Sequence, residues 1–319
     1  MHTTAQFTRA MLITMRPYLL FLSGITGLAG VAAAGHVPPA VIIPVFIASF
    51  LSYGFGQALT DCFQTDTDAI SAPYRPLVQG TISRRAVLIT SLLGLTLCSV
   101  LFAAGNTINL AFGALAVGGL ATYTWFKRRW WGGPWYNAWI VSVLFLMGYF
   151  AGTDGSSPAL PGTIIPLMVV AFAGYANFVI AGYFKDIEAD RQTGYHTFPV
   201  VFGRRAAAIV SDLFAAAALA GLLLHLWNLQ RTWASAWDAA PGILLSGWGL
   251  WLSIRAQILL HRNTDDRTAH APIRLVVESY IIMLSAAIAA MHPLWTIPLL
   301  LFYGTFQLVL SSRTEVSQI

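Results

Sequence analysis

The sequence predicts an all-α integral membrane protein with nine or ten transmembrane helices. Of its 319 residues, 57% are hydrophobic and only 10% are charged, whereas about a quarter of the residues in soluble domains are charged. The apolar residues form segments close to the roughly 20 residues that a membrane-spanning helix requires. No stretch between these segments is long enough for a soluble domain. Residues 1–319 are therefore expected to form a single transmembrane domain.

The predicted spans follow one another through short connections. Nine segments have the length and composition of a transmembrane helix: 17–35, 39–59, 86–104, 107–125, 135–153, 162–184, 206–228, 241–260 and 272–291. A tenth apolar stretch, 294–310, follows Pro293 and is interrupted by Pro298, which leaves open whether it crosses the membrane. The two cysteines, Cys62 and Cys98, form neither a disulfide framework nor the spacing of a zinc site.

The basic residues predict how the spans are oriented. Lysine and arginine lie before the first span and in the loops after the second, fourth, sixth and eighth, whereas the opposite loops contain only Arg231. Cytoplasmic loops are enriched in these residues, so we expect the basic face to be cytoplasmic, in a bacterial inner membrane. This bias explains most of the net charge of +5. A nucleic-acid partner is not expected.

Six of the thirteen acidic residues lie in two short windows, TDCFQTDTD at 60–68 and KDIEADR at 185–191. Each window continues a span, the second and the sixth, on the predicted cytoplasmic side. Carboxylates at a membrane edge are costly and indicate function. On a continuous helix Asp61 and Asp68 would lie about 20° apart, and Asp186 and Asp190 would share a face.

Like charges at this spacing repel one another unless a cation lies between them. Ligands that are all oxygen favour a hard cation, and Mg²⁺ usually binds through a few carboxylates plus substrate phosphates. One such window would fit a solvated helix end equally well, but two windows on one face favour a Mg²⁺ site. The basic residues near these windows or on the same face are candidates to bind phosphate: Arg75, Lys127, Lys185 and Arg191.

Three motifs resemble those of the UbiA superfamily of intramembrane prenyltransferases, along nearly the whole chain. The family's first motif, N-D-x-x-D-x-x-x-D followed by P-x-R-P and G-x-[IL]-[ST], is similar to TDCFQTDTD and the APYRPLVQGTIS that follows. The second, D-x-x-x-D followed by G-x-x-[ST]-x-P-V-x-x-G, is matched by DIEADRQTGYHTFPVVFG. The third, Y-[ST]-x-x-K-R at the end of the fourth span, is matched by YTWFKR.

The resemblance implies a UbiA-like helical bundle around a central cavity, capped by the two aspartate-rich loops. Asp61, Asp68, Asp186 and Asp190 would be catalytic residues that hold Mg²⁺ bridging an isoprenyl diphosphate. Ionisation of the allylic C–O bond would produce a carbocation, which an aromatic or other nucleophilic small molecule attacks. The remaining residues expected to contact the substrate or support its diphosphate are Gln64, Arg75, Tyr123, Lys127, Arg128, Asn137, Lys185 and Arg191.

The first motif departs from the family pattern at three positions. Thr60 replaces the leading asparagine, Gln64 replaces the middle aspartate, and Asp66 is an additional acid. If the chain is unwound there, Asp66 would replace the missing carboxylate as a metal ligand. If the chain is helical, Asp66 would point away from Asp61 and Asp68. These changes indicate a specialised branch of the superfamily.

Two other functions fit parts of the sequence. Some members of the superfamily are terpene cyclases, in which the cation attacks the donor's own double bonds, and an altered first motif is compatible with that reaction. A transporter would use intramembrane acids as a cation path. It would, however, place the carboxylates near the bilayer midplane rather than at one face.

Three further residues have more than one interpretation. Asp212 lies within a predicted span and is expected either to line the cavity or to pair with an arginine. Glu278 follows Arg274 by four residues, which predicts an ion pair along one helix. His196 lies in the second aspartate-rich loop and is expected to pack within the loop rather than to contact the substrate.

Overall fold

The computed structural model describes residues 4–153 and 160–313, which contain thirteen α-helices and no strand. The helices are α1 (Thr4–Met15), α2 (Leu20–Ala33), α3 (Pro39–Asp61), α4 (Thr65–Ser71), α5 (Arg84–Ala103), α6 (Asn109–Arg129), α7 (Gly133–Gly152), α8 (Ile165–Gly182), α9 (Ile187–Gln192), α10 (Phe198–Leu229), α11 (Ala236–His261), α12 (His270–Met291) and α13 (Thr296–Ser311). The all-helical fold class is confirmed.

Within the described residues, eight helices are long and apolar enough to cross a membrane, or nine if α1 and α2, which meet at a 45° bend, form one span. This number agrees roughly with the nine or ten spans that the sequence predicts. The tenth stretch is among the eight, as α13. The predicted span 107–125 is α6, which is not among them.

The helices pack into one bundle in which α12 is the most deeply buried and α13 lies at the periphery. Helix α12 packs against α11, α8 and α2, while α8 also packs against α10 and α7, and α2 against α3 and α7. A layer of α3, α5 and α6 completes the other side. Many leucine, isoleucine and tryptophan side chains on the outer faces are exposed, as expected for surfaces that contact lipid.

Two interrupted helices bring the aspartate-rich motifs to the same end of the bundle. Helix α3 ends at Asp61, and α4 begins at Thr65 after a turn. Helix α8 continues as a 3₁₀ turn, Tyr183–Lys185, before α9 begins at Ile187. The short helices α4 and α9 contact each other. Asp61 and Asp68 therefore do not lie on one continuous helix, because the backbone turns between them, whereas Asp66 and Asp68 both lie on α4.

Gly194 allows the second motif to turn back on itself. It has φ of +74° and follows α9, a left-handed conformation that residues with a Cβ rarely adopt. Immediately after it, the backbone N–H of Tyr195 donates to the carbonyl of Asp190 at 2.8 Å. The turn thus holds Tyr195 against the last aspartate of the motif.

Candidate active site

A cavity of about 190 Å³ lies between α3, α5, α6, α7 and α8, beneath the two aspartate-rich motifs. Its interior is largely apolar, and its main hydrophobic lining residues are Leu95, Phe102, Ala116, Val117, Leu120, Ile140, Val141, Leu144 and Met147. Its mouth is charged, and the residues concerned are Arg16, Asp61, Asp68, Arg75, Lys127, Lys185 and Asp186. One end of the cavity therefore suits a polyanion with a cation, and the other end suits a hydrocarbon chain.

In the first motif, two arginines neutralise two buried aspartates. Arg16 donates from Nη2 to both carboxylate oxygens of Asp61 at 2.9 Å, and Gln57 donates to the same carboxylate at 2.6 Å. Arg75 forms an ion pair with Asp68 and lies 3.8 Å from Asp61. Burial raises the pKa of Asp68, and Arg75 opposes that rise. The two aspartates converge on Arg75 although they belong to different helices.

In the second motif, Asp190 is completely buried and lies behind the cavity wall rather than on its surface. Its carboxylate accepts hydrogen bonds from Lys127 at 3.3 Å and from the hydroxyl of Thr197 at 3.0 Å. Burial raises the pKa of Asp190 to about 6, against the opposing charge of Lys127. Asp186 lines the cavity directly. The two aspartates of this motif therefore occupy different environments.

Lys127 joins the two motifs from the end of α6. Its ammonium group donates to Gln64 at 3.3 Å as well as to Asp190. Close by, the hydroxyl groups of Tyr123 and Tyr183 are hydrogen bonded at 2.8 Å. Tyr123 and Asn137 both line the cavity. All these groups surround the cavity mouth, as the sequence motifs lead one to expect.

Comparison with known proteins places the chain in a family. The sequence model of the UbiA prenyltransferase family matches residues 20–277. The chain belongs to the UbiA prenyltransferase family. It is accordingly an intramembrane prenyltransferase.

Among its relatives, the digeranylgeranylglyceryl phosphate synthase of Thermococcus gammatolerans is 29% identical over 286 residues, which are 88% of this chain and 98% of the relative. The chloroplastic chlorophyll synthase of Oryza sativa subsp. japonica is 32% identical over 201 residues, 56% of this chain and 51% of the relative. The archaeal and plant sources of these relatives give no support to the expected bacterial membrane.

Solved structures of UbiA homologues have the same fold. An apo homologue from Aeropyrum pernix superposes with a TM-score of 0.70 at 18% identity, covering 85% of this chain and 98% of that one. A homologue from Archaeoglobus fulgidus, bound to DMAPP and Mg²⁺, superposes with a TM-score of 0.62 at 16% identity, covering 86% and 99%. The present enzyme thus has the UbiA fold.

Besides Asp190, which lies behind the cavity wall, three of the residues predicted for the site of this UbiA-family enzyme do not line its cavity. Asp66 is 42% exposed and forms an ion pair with Arg128, which lies outside the cavity lining as well. Arg191 is exposed and pairs with Glu188 on α9 at 2.8 Å. These three side chains lie on the outer surface of the motifs rather than around the mouth.

The other residues with open interpretations are now placed. Within the part of the chain that the structure describes, Asp212 neither lines the main cavity nor pairs with an arginine; it contacts His261 on α11 at 2.7 Å. The predicted ion pair between Arg274 and Glu278 is confirmed at 2.7 Å. His196 is exposed and is not among the residues that line the main cavity; its ring nitrogen lies 2.7 Å from the carbonyl of Arg128 at the end of α6, rather than from a group of its own loop.

Arg16 and Gln57 also line the cavity but were not among the predicted site residues. Arg16 is the non-glycine residue with positive φ, +53°, in the described chain, and it lies at the bend between α1 and α2. The position of Arg16, directly before Pro17 and next to an apolar segment, could have indicated a functional role. In the sequence this arginine was used only to predict the orientation of the first span. Gln57 lies one helical turn before Asp61, so its position alone could have indicated contact.

Proposed function

We propose that this UbiA-family enzyme transfers an isoprenyl group from an isoprenyl diphosphate to a nucleophilic small-molecule acceptor in a Mg²⁺-dependent reaction. The observation that carries the proposal is the cavity, which has a charged mouth at the aspartate-rich motifs and an apolar interior. The homologue structure bound to DMAPP and Mg²⁺ supports this donor class. The relatives named as synthases of prenylated products support the transfer.

The donor set at the mouth fits Mg²⁺ that arrives with a diphosphate. Within the described residues, no group of three or more acidic, histidine or cysteine side chains could hold a metal ion by themselves. Mg²⁺ needs no such cage, because it binds through one or two carboxylates, waters and substrate phosphates. The carboxylates that would hold it are Asp61, Asp68 and Asp186 at the cavity surface, together with Asp190, which would exchange its contact with Lys127 for the ion. When bound, Mg²⁺ neutralises the charge that develops on the leaving diphosphate.

The protein's own cations contribute to the same task. Arg16, Arg75, Lys127 and Lys185 line the mouth, and charged hydrogen bonds to phosphate oxygens are strong in such surroundings. The apolar interior keeps water away from the allylic cation, so that the acceptor rather than water attacks it. Tyr53 and Tyr123 also line the cavity. Aromatic rings near the allylic cation would stabilise its positive charge.

We place the mouth of the cavity on the cytoplasmic side of the membrane. The arginine and lysine residues of the aspartate-rich loops lie at this end, and cytoplasmic loops are enriched in such residues. A water-soluble diphosphate head could then reach the mouth directly, while its tail enters the bundle. Cysteines are introduced singly at positions 196 and 231 and treated with a membrane-impermeant reagent in sealed vesicles. The two positions should be labelled from opposite sides of the membrane.

Product analysis tests the reaction. Purified full-length protein is incubated with a panel of isoprenyl diphosphates, with and without acceptors such as phenols and glycerol-based lipids, and the products are identified by mass spectrometry. We expect a prenylated acceptor that requires Mg²⁺ and disappears when EDTA is added. A cyclic terpene formed from the diphosphate alone would assign the enzyme to the cyclases instead. Activity that persists in EDTA would contradict the metal requirement.

A further inference from the structure

Asp66, the acid that has no counterpart in the family's first motif, is occupied by contacts on the outside of the mouth. Arg128 donates from Nη2 to both of its carboxylate oxygens, at 2.8 and 2.7 Å. The hydroxyl of Tyr195 approaches the same carboxylate at 3.4 Å. Although burial opposes it, hydrogen bonding from Arg128 lowers the pKa of Asp66. The carboxylate is thus directed away from the cavity and is already paired.

Arg128 is the centre of this set of contacts. Besides Asp66, its Nη2 donates to the carbonyl of Phe63 at 3.3 Å, in the turn between α3 and α4. Its guanidinium lies 4.3 Å from the centre of the Tyr195 ring. Its own carbonyl accepts a hydrogen bond from the backbone N–H of His196 at 3.3 Å. One residue at the end of α6 therefore contacts the first motif and the second motif together.

The same contacts reach the metal-binding side of the second motif. The N–H of Tyr195 donates to the carbonyl of Asp190 at 2.8 Å. Lys127, the neighbour of Arg128 on α6, lies 4.9 Å from the centre of the Tyr195 ring. On the inner side, the hydroxyl groups of Thr67 and Thr193 join α4 to α9 at 3.0 Å. The distance between the two aspartate-rich motifs is thus defined by an outer and an inner contact.

We propose that Asp66 is a positioning residue, which acts through Arg128 and Tyr195 to hold the first aspartate-rich motif at a defined distance from the second, and that it is not a Mg²⁺ ligand. This inference rests on the proposed function, because a diphosphate with Mg²⁺ must contact both motifs at once. Asp66 takes no part in the chemistry. Its loss widens or loosens the mouth without removing a ligand.

The pair is suited to positioning rather than to stabilisation of the fold. Both side chains are partly exposed, 33% for Arg128 and 42% for Asp66, and ion pairs at the surface contribute little to stability. The two-pronged geometry nevertheless fixes the direction of the guanidinium. Loss of the pair should therefore leave the protein folded and weaken only the binding that depends on the spacing of the motifs.

A double-mutant cycle on the full-length protein tests the proposal. Mg²⁺ is titrated in the presence of inorganic diphosphate, and binding is followed by tryptophan fluorescence. Substitution of residues that orient metal ligands typically reduces metal affinity by 10- to 100-fold. We therefore expect Asp66→Asn and Arg128→Gln each to weaken Mg²⁺ binding about tenfold. Because both break the same contact, the double variant should be no weaker than either single variant.

The matched control is Glu188→Gln, which removes one carboxylate from an exposed ion pair on α9 that joins nothing beyond its own helix. It should bind like the wild type. Arg128→Lys keeps the charge but not the two-pronged contact, and should also weaken binding. If the fold losses of Mg²⁺ affinity of the two single variants instead multiply in the double variant, the two residues act independently. Asp66 would then bind the metal and Arg128 the diphosphate, and the proposal would be wrong. Wild-type affinity in Asp66→Asn would contradict it as well. Absence of binding in the wild-type protein would contradict the proposed function itself.

Discussion

The two ends of the cavity differ in what holds them together. At the mouth, the buried aspartates are matched by cations from other parts of the chain: Asp61 by Arg16, Asp68 by Arg75, and Asp190 by Lys127. At the far end, which we call the floor, Phe102, Gly113 and Met147 close the cavity. The buried side chain of Asn109 stabilises this floor, because its amide group donates hydrogen bonds to the carbonyls of Phe102 and Met147 at 3.0 and 3.1 Å.

This difference separates two kinds of constraint in one site. At the mouth, charge decides the outcome, because removal of one partner leaves a buried charge uncompensated. At the floor, volume decides it, because close-packed apolar walls discriminate by size. Substitutions at the mouth should therefore alter whether the reaction occurs, and substitutions at the floor should alter which donor is used.

The largest effect is expected from the mouth aspartates. Asp68→Ala and Asp190→Ala should each reduce turnover by at least about 100-fold, the order of loss when one group that stabilises transition-state charge is removed. Product formation is measured alongside size-exclusion chromatography, which should show a folded, membrane-extracted protein. Glu188→Ala, on the exposed face of α9, is the control and should retain activity. Near-normal turnover in either aspartate variant would exclude the two-motif Mg²⁺ site.

At the floor, Phe102→Ala should change donor preference without abolishing activity. Lys127 and Gly113 are 14 residues apart on α6, so mouth and floor are separated by about 21 Å. A five-carbon unit spans about 5 Å when extended, from four C–C bonds of about 1.5 Å. We therefore expect the wild type to prefer a donor of about four such units.

The Phe102→Ala variant should favour a donor one unit longer by about tenfold, the lower limit for discrimination in an apolar pocket. Gly113→Leu should act in the opposite direction, since Gly113 lines the cavity and a larger side chain at this position would reduce the volume of the floor. Both are measured as kcat/KM across a series of donors. An unchanged preference in both variants would show that the tail does not reach this floor.

Acidification should weaken Mg²⁺ binding at the mouth but not affect the floor. The pKa of Asp190 is raised to about 6, above about 3.9 for a free aspartate, so the folded, metal-free protein takes up a proton between pH 4 and 6. The contribution of protonated Asp190 to the stability of the fold is thus present at low pH and is lost as the pH rises through this window. Since Mg²⁺ requires the ionised carboxylate, thermal shifts induced by Mg²⁺ alone should shrink below about pH 6. Thr197→Val removes a hydrogen bond to Asp190 and should move this midpoint upward; an identical midpoint would refute the assignment.

The smallest effect on catalysis is expected from Asn109. Replacement with alanine removes both hydrogen bonds to the floor and should destabilise the fold by about 1–3 kcal/mol, the cost of leaving buried polar groups unpaired. The melting temperature should fall, while the Mg²⁺ dependence of turnover stays at its wild-type value. A change in Mg²⁺ dependence would mean that floor and mouth are coupled and do not impose separate constraints on the reaction.

Most of the residues that the sequence motifs indicate line one cavity, whereas pairing partners were predicted only when they were local. The ion pair of Arg274 with Glu278 was predicted because residues four apart on a helix always adjoin. Arg16 with Asp61 and Lys127 with Asp190 are separated by 45 and 63 residues, and no local rule brings them together. For the same reason, Asp212 was expected either to line the cavity or to pair with an arginine, whereas its partner is His261. The metal ligands themselves stay a prediction.

The sequence by itself determined the helical membrane fold, the family and the end of the bundle at which the site lies. These properties follow from hydropathy, helix length and contiguous motifs, all of which are local. Only the tertiary structure decided that α3 breaks after Asp61, that Asp190 lies behind the cavity wall, and that Asp66 is directed to Arg128. Each of these depends on how separate helices pack, because a buried charge takes whichever partner the fold brings within reach.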